Sequence, residues 1–433
     1  MFARSIGLLL VSLVLTSPVL ADDWPQWRGP NRNGQSAETK LLKTWPKGGP
    51  KLLWTCKDAG IGFSSPAIVG DKLFCMGTKD KGTEIYCLSV KEGKELWHAH
   101  VGPKFSGIVG WGGGPRSGPT VDGGYVYGLT GNGILACVNA KDGKLVWHVD
   151  FVKDFGGAMM TGWGYSESIL IDGDHLICTP GSQTKGTFAA LDKKTGKVIW
   201  MSNGLKNKAT YSSLMKTKFG GVPQYLGLSF DAKESTVVAS GIDVKDGKVL
   251  WTFSLDTGDI DVIASSPLIK GDQAFISIGD STGSYMLKVT KKGTKFEAEN
   301  VFEDFQRNMF NMHGGLVLLE DKIYGFSEIF NYMCLDWKTG QKVWFNRPQK
   351  VERNASGAIS YANGQLYLYS DSGIAVLIEA SPKGWEEKGR FTIPTKSTQP
   401  PKARKIWTHP VIANGRLYLR DNEYLFSFDI SAK

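Results

Sequence analysis

Three features are scarce in this 433-residue chain. The first is helical periodicity. No stretch repeats apolar residues at three- and four-residue spacing for long enough to build a helical layer, which argues against helix bundles and alternating strand–helix folds. The second is the long apolar run: after residue 21 none could span a bilayer. The third is acidic charge. Lys and Arg outnumber Asp and Glu by 51 to 42, for a net charge of +9. That excess is spread along the chain, with no run of Lys and Arg interleaved with aromatics, so nucleic acid is not an expected partner. There is no Cys-x-x-Cys-His to attach a haem.

The one apolar run opens the chain. "MFARSIGLLLVSLVLTSPVLA" has an early Arg, a short hydrophobic stretch and small residues before a cleavage point after Ala21. It reads as a cleaved signal peptide. No Cys follows it to take a lipid. The expectation is an exported protein, periplasmic or secreted, with no transmembrane segment.

Six cysteines in an exported chain invite disulfides. Their spacing argues otherwise for most of them. Cys87, Cys137 and Cys334 each stand ten residues before a Trp (Trp97, Trp147, Trp344), in a slot that holds Ala190 and Gly241 elsewhere. The slot wants a small side chain, and Cys serves as one. Cys75 and Cys178 share another slot. Only Cys75 and Cys87 flank a turn almost symmetrically, and their spacing allows a bridge across a hairpin.

Those Trp residues end a repeated phrase. "SVKEGKELW" (89–97), "NAKDGKLVW" (139–147), "DKKTGKVIW" (192–200), "DVKDGKVLW" (243–251) and "DWKTGQKVW" (336–344) each place a Gly-containing turn before a short apolar strand. Upstream of each lies a second strand pair, as in "SSPAIVGDKLFCMG" (64–77). One unit is therefore four antiparallel strands in about fifty residues, the period of a propeller blade. Degenerate copies follow at the same period, with Phe302 and Phe391 in the Trp position. The chain ends in three strands without a fourth. "KLLWTCK" (51–57), bearing Trp54, is a last strand without a hairpin. Joining them gives an all-β, eight-bladed β-propeller of four-stranded antiparallel blades, closed by pairing the N- and C-terminal strands. The expected organisation is a signal peptide (1–21), an N-terminal strap (22–50) lying across the propeller surface, and the propeller itself (51–433).

"ALDKKTGKVIW" (190–200) matches, position by position, the tryptophan-docking motif of the pyrroloquinoline quinone (PQQ) repeat, Ala-x-Asp-x-x-Thr-Gly-Lys-x-x-Trp. The chain thus resembles the PQQ-repeat β-propellers over 51–433, with looser copies at the other turns. The resemblance implies that Trp54, Trp97, Trp147, Trp200, Trp251 and Trp344 dock on the Gly turn of a neighbouring blade. The opening "DDWPQWRGPNRNGQS" also looks like the start of many exported bacterial proteins with these repeats. One branch of the family resembles the propeller subunit of the outer-membrane β-barrel assembly machinery, a scaffold without a cofactor. Another contains quinoprotein dehydrogenases, which hold PQQ and calcium over the propeller axis and oxidise alcohols or sugars. Fold alone does not choose between them.

The loops entering the innermost strands should gather at one mouth of the axial channel. They carry Trp111, Arg116, Trp163, Tyr165, Tyr211, His313, Arg353, Trp407 and His409, the candidate binding residues. On the quinoprotein alternative, Glu167, Asp261 and Asn354 are the oxygen donors for calcium. The adjacent-Cys pair of many alcohol-oxidising members is absent, and few insertions are long enough to bury a cofactor. The favoured expectation is a monomeric, non-catalytic binding or scaffold module of the cell envelope without a cofactor. Its partner would be an envelope protein or a small molecule at the mouth. Among weaker signals, "GDSTG" (279–283) lies in a hairpin loop and is no nucleophile elbow. His98 and His100 lack a third metal ligand. "NAS" (354–356) fits a glycosylation acceptor, which carries little weight in a bacterial-looking chain.

Overall fold

The computed structural model describes residues 23–80, 82–257, 260, 262–279, 282–302, 308–328, 331–346 and 356–432. The signal-peptide reading therefore lies outside the described residues, as do Ser281 of "GDSTG" and Asn354 of "NAS". Alternating apolar residues and tight Gly turns produce eight antiparallel sheets. Blade 1 shows the pattern: Ala67–Val69, Lys72–Lys79, Gly82–Ser89 and Glu95–Pro103 pair in sequence order from the axis outward. Blades 2 to 7 repeat it. In blade 4 the two-residue strand Lys208–Ala209 also pairs with Val222–Asp231, beside Met215–Phe219. Among the described residues the α-helix is confined to one short element, Phe151–Phe155, capped by Asp150. No described helix is long and apolar enough to cross a membrane.

The ring closes in blade 8. Val411–Ala413, Arg416–Asp421 and Tyr424–Asp429 supply three strands, and Lys51–Cys56 adds the outermost, with Cys56 opposite Leu425 and Lys51 opposite Asp429. Arg420 then ties this blade to blade 1. Its fully buried guanidinium donates to the carbonyls of Ala59, Gly60, Ser64, Met76 and Asn422. Five acceptors use the whole donor set of one arginine.

The small slot has a direct geometric cause. Cys87, Cys137, Ala190, Gly241 and Cys334 sit opposite Trp97, Trp147, Trp200, Trp251 and Trp344 in the strand register. A Cβ on Gly241 would stand 2.0 Å from Trp251 Nε1. The indole crosses its partner strand on the way to the next blade and leaves room only for a small residue. Trp54, Trp97, Trp147 and Trp200 each meet the turn glycine of the following blade. Trp251 departs from the pattern by donating to Gln224 Oε1 in its own blade, at 2.8 Å. Trp344 donates to Ser381 O at 2.9 Å.

The Cys75–Cys87 bridge that the spacing left open is not formed: all six cysteines are free. Cys75 is opposite Tyr86, and Cys87 is opposite Phe74. A one-residue offset in a strand turns side chains to opposite faces. Cys75 accordingly packs toward blade 8 and Cys87 toward blade 2.

The strap is also corrected. Its first part does not lie on the surface but enters the axial channel. Trp24 pairs with Ile68 of blade 1, and Pro25 O accepts from Val121 N of blade 2. Arg32 donates to Ser168 O and Ile169 O beside blade 3. Arg28 donates to Leu316 O of blade 6, and Gln35 Nε2 to Leu318 O. Inner strands of a ring leave backbone groups facing the hole, and a polar-rich segment threaded there satisfies them. The strap then leaves over blades 7 and 8, where Leu41 and Trp45 bury against the outer sheets.

Candidate functional site

The mouth is built on a serine relay. Four of the loops entering innermost strands, those of blades 2, 3, 4 and 8, present a backbone N–H to a hydroxyl of the next blade. Gly118 N donates to Ser168 Oγ at 3.0 Å, Ser168 N to Ser213 Oγ at 2.9 Å, and Ser213 N to Ser266 Oγ at 3.1 Å. Across the closure, His409 N donates to Ser65 Oγ at 2.9 Å. The relay holds the loops at a common height, so that their larger side chains converge over the axis.

They converge on a cavity of about 290 Å³. Of the candidate residues, Trp111, Arg116, Trp163, Tyr211, His313, Trp407 and His409 line it. Three indoles form one wall. Trp111 and Trp407 are nearly parallel, 6.3 Å apart at 22°, and Trp163 stands edge-on to both, at 74° and 75°. His313 packs against Trp407 with ring centroids 5.2 Å apart, and its Nε2 lies 3.1 Å from Ser356 Oγ. Burial pushes the His313 imidazole down to about 4, and holds His409 well below its usual range, so both rings are neutral at neutral pH. Arg116 is lowered by burial to about 10 and keeps its charge.

Tyr165 and Glu167 are not in the wall. Tyr165 turns into the blade, where its hydroxyl donates to Pro180 O at 2.9 Å and its ring meets Phe151. Glu167 is buried, its two carboxylate oxygens accepting from Thr179 N and Thr179 Oγ1. Desolvation raises its carboxyl to about 7, opposed by those bonds and by Arg32. Arg353, Asp261 and Asn354 lie outside the described residues. Among the described residues no cluster of three His, Cys, Asp or Glu could hold a metal. His98 and His100 each face a carboxylate of their own, Glu95 at 2.7 Å and Glu84 at 3.0 Å.

The floor was not legible in advance. Trp27 of the strap closes the cavity from below, edge-on to His409, with the guanidinium groups of Arg28 and Arg32 at 5.5 and 5.8 Å from its ring. Phe63, Val262, Ala264 and Met312 add apolar wall, and Ser65, Ser166 and Ser213 complete it. The signal for Trp27 was "WPQWRGPNRNGQS" itself, whose mechanism is now visible: it is the plug of the channel. The signal for the serines was their recurrence in "FSSP", "YSES", "TYSS" and "ASSP".

No curated protein matches the chain in sequence. Solved structures do match in shape. BamB from Moraxella catarrhalis aligns with a TM-score of 0.55 at 14% identity, covering 86% of this chain and 95% of that one. Quinohemoprotein alcohol dehydrogenase from Comamonas testosteroni gives 0.62 at 12%, covering 95% and 81%. A europium-containing methanol dehydrogenase gives 0.61 at 12%, covering 93% and 90%. At such identities these likenesses speak to the fold. The sequence match is more specific: residues 81–346, more than half of the chain, fit the family described as outer membrane protein assembly factor BamB, and the chain belongs to that family of PQQ-repeat propellers.

Proposed function

We propose that this chain is a non-catalytic binding propeller of the cell envelope, with the channel mouth as its binding site. One observation carries the reading. The cavity joins an indole wall, an aromatic floor and a half-buried cation, yet its described lining has no carboxylate, thiol or amine to act as base or nucleophile. The lining serines spend their hydroxyls in the relay or on local backbone, as Ser166 does on Gly164 O. Among the described residues, the one histidine–serine side-chain contact at the mouth, His313 Nε2 with Ser356 Oγ at 3.1 Å, is to a serine outside the cavity lining. An aromatic, concave and pre-formed site whose described lining has no carboxylate, thiol or amine is suited to holding a ligand. Membership of a family described by an assembly factor, and the leader-like residues 1–21, support placement in the envelope.

The quinoprotein alternative meets a poor fit. PQQ carries three carboxylates and works beside a calcium ion, so its site needs several cationic or amide donors and oxygen ligands for the metal. The described lining offers one guanidinium and no carboxylate, and Glu167 is committed to Thr179 inside its blade. The test is direct. The purified protein, incubated with PQQ and calcium, is expected to show neither a stoichiometric bound chromophore nor dye-linked oxidation of alcohols or sugars. Tight one-to-one binding with turnover would overturn the proposal.

A further inference from the structure

Arg116 is a half-buried cation with an incomplete set of partners. Its Nη1 and Nη2 make long bonds to Gly114 O and Gly112 O, at 3.2 and 3.3 Å, and its Nε is buried with no partner. Among the described residues no carboxylate forms an ion pair with it. Its Cζ instead stands 5.1, 5.5 and 5.8 Å from the ring centres of Phe63, Phe105 and Trp163. Aromatic faces compensate part of a desolvated charge, and where carbonyls do not complete the donor set, as they do for Arg420, an anion can supply the missing acceptor and the countercharge. His409, 5% exposed, lines the same cavity, with its Nε2 against Gly315 and Arg28.

The shape of that space limits what can fill it. At about 290 Å³ it lies at the small end of ligand pockets. Its walls are planar rings on one side and apolar side chains on the other, which favour a flat apolar body. The Trp111 and Trp407 rings are too close, at 6.3 Å, to admit a third ring between them, so the ligand lies against the wall. One lining guanidinium matches one carboxylate in bidentate geometry and leaves nothing for a second or third.

We propose that the mouth takes a small monoanionic ligand with a flat apolar body, a one- or two-ring aromatic carboxylate, its carboxylate on Arg116 and its ring against the indole wall. The inference rests on the binding reading above and names the chemistry of that site.

The probes are 2-naphthoate, the uncharged 2-naphthalenemethanol and the cationic 2-naphthyltrimethylammonium, titrated into the full chain with tryptophan fluorescence and calorimetry as readouts. The naphthoate is expected to bind once per chain, about tenfold or more tighter than the alcohol, with no measurable binding of the cation. Arg116→Gln should remove that preference by weakening the acid about tenfold while leaving the alcohol within roughly threefold, and Arg116→Lys should recover part of it. Should Arg116→Gln fail to fold, the ranking of the three probes on the unaltered chain still decides. Equal affinity for acid and alcohol, an Arg116→Gln variant that binds the acid normally, or no saturable binding of any probe would each overturn the ligand class. Failure of the non-catalytic reading has a different signature, the PQQ- and calcium-dependent turnover described above.

Discussion

The indole of Trp54 lies against Gly93: a Cβ added to that glycine would stand 2.5 Å from the ring, and Trp54 Nε1 donates to Val90 O at 2.9 Å. Blade 8 thus docks on blade 1 by the same device that docks Trp97 on Gly143, Trp147 on Gly196 and Trp200 on Gly247. The glycine is required twice, by its positive φ and by the flat ring pressed onto its α-carbon. Each blade contributes an apolar plate that it cannot bury alone, so docking stabilises the ring and not the unit.

Gly143→Ala tests this contact. A Cβ there would meet Trp97 at 2.6 Å, whereas one on Gly123, also at positive φ, would meet nothing within 4 Å. Gly123→Ala should cost about 1 kcal/mol of backbone strain. Gly143→Ala should cost that and roughly 1–3 kcal/mol more from overpacking. Denaturant midpoints of the two variants check it, and equal losses would show that the Trp–Gly contact is not tight.

Arg420→Met tests the closure. It removes the donors for five buried carbonyls at the joint of blades 8 and 1. The expected loss is roughly 3–5 kcal/mol, because orphaned buried acceptors are costly. Hydrogen exchange should accelerate first in Lys51–Cys56 and Tyr424–Asp429, the strands that close the ring. Uniform acceleration in all blades would argue against a local joint.

Glu167 makes stability depend on pH. Burial raises its carboxyl from 4.5 to about 7. In that window the unfolded chain has already lost the proton that the folded chain retains. The stabilisation from this group is therefore full below about 4.5 and is lost as pH rises through about 7. Glu167→Gln keeps a neutral side chain beside Thr179 at every pH. The melting temperature of the variant minus that of the parent should become more positive between pH 5 and pH 8. His313, lowered from 6.5 to about 4, acts oppositely. Its effect is common to both proteins and cancels in the difference. A flat difference would show that Glu167 titrates normally.

The thiols give a simple count. Six free cysteines are present, and only Cys56 is less than fully buried. Burial raises Cys75 to about 11 and Cys87, Cys137 and Cys334 to about 12, so they stay protonated and unreactive. A thiol reagent at pH 8 should label at most one cysteine in the native protein and six after denaturation. Four after denaturation without reductant would reveal a bridge.

How far the sequence reached varies by feature. The blade, its period and the closure of the ring were legible because each rests on local spacing: turn glycines, alternating strands, and a Trp at a fixed offset from a small residue. Whether Cys75 and Cys87 bridge was left open because symmetry about a turn does not reveal register, and one residue of offset sends neighbouring side chains to opposite faces. Glu167 and Tyr165 were grouped with the mouth because they share its loops. The path of that loop before Leu170–Asp172 turns Glu167 onto Thr179 and Tyr165 onto Pro180.

By itself, then, the order of residues determined the repeating unit, the number of units and which loops share a rim, since all three follow from short-range pattern. Only the closed ring decided what stands at its centre. The strap finds backbone groups to satisfy only once eight inner strands surround a hole. Trp27 becomes a floor, and Arg116 a half-buried cation without a carboxylate partner among the described residues, through contacts between segments far apart in the chain, which no local pattern encodes.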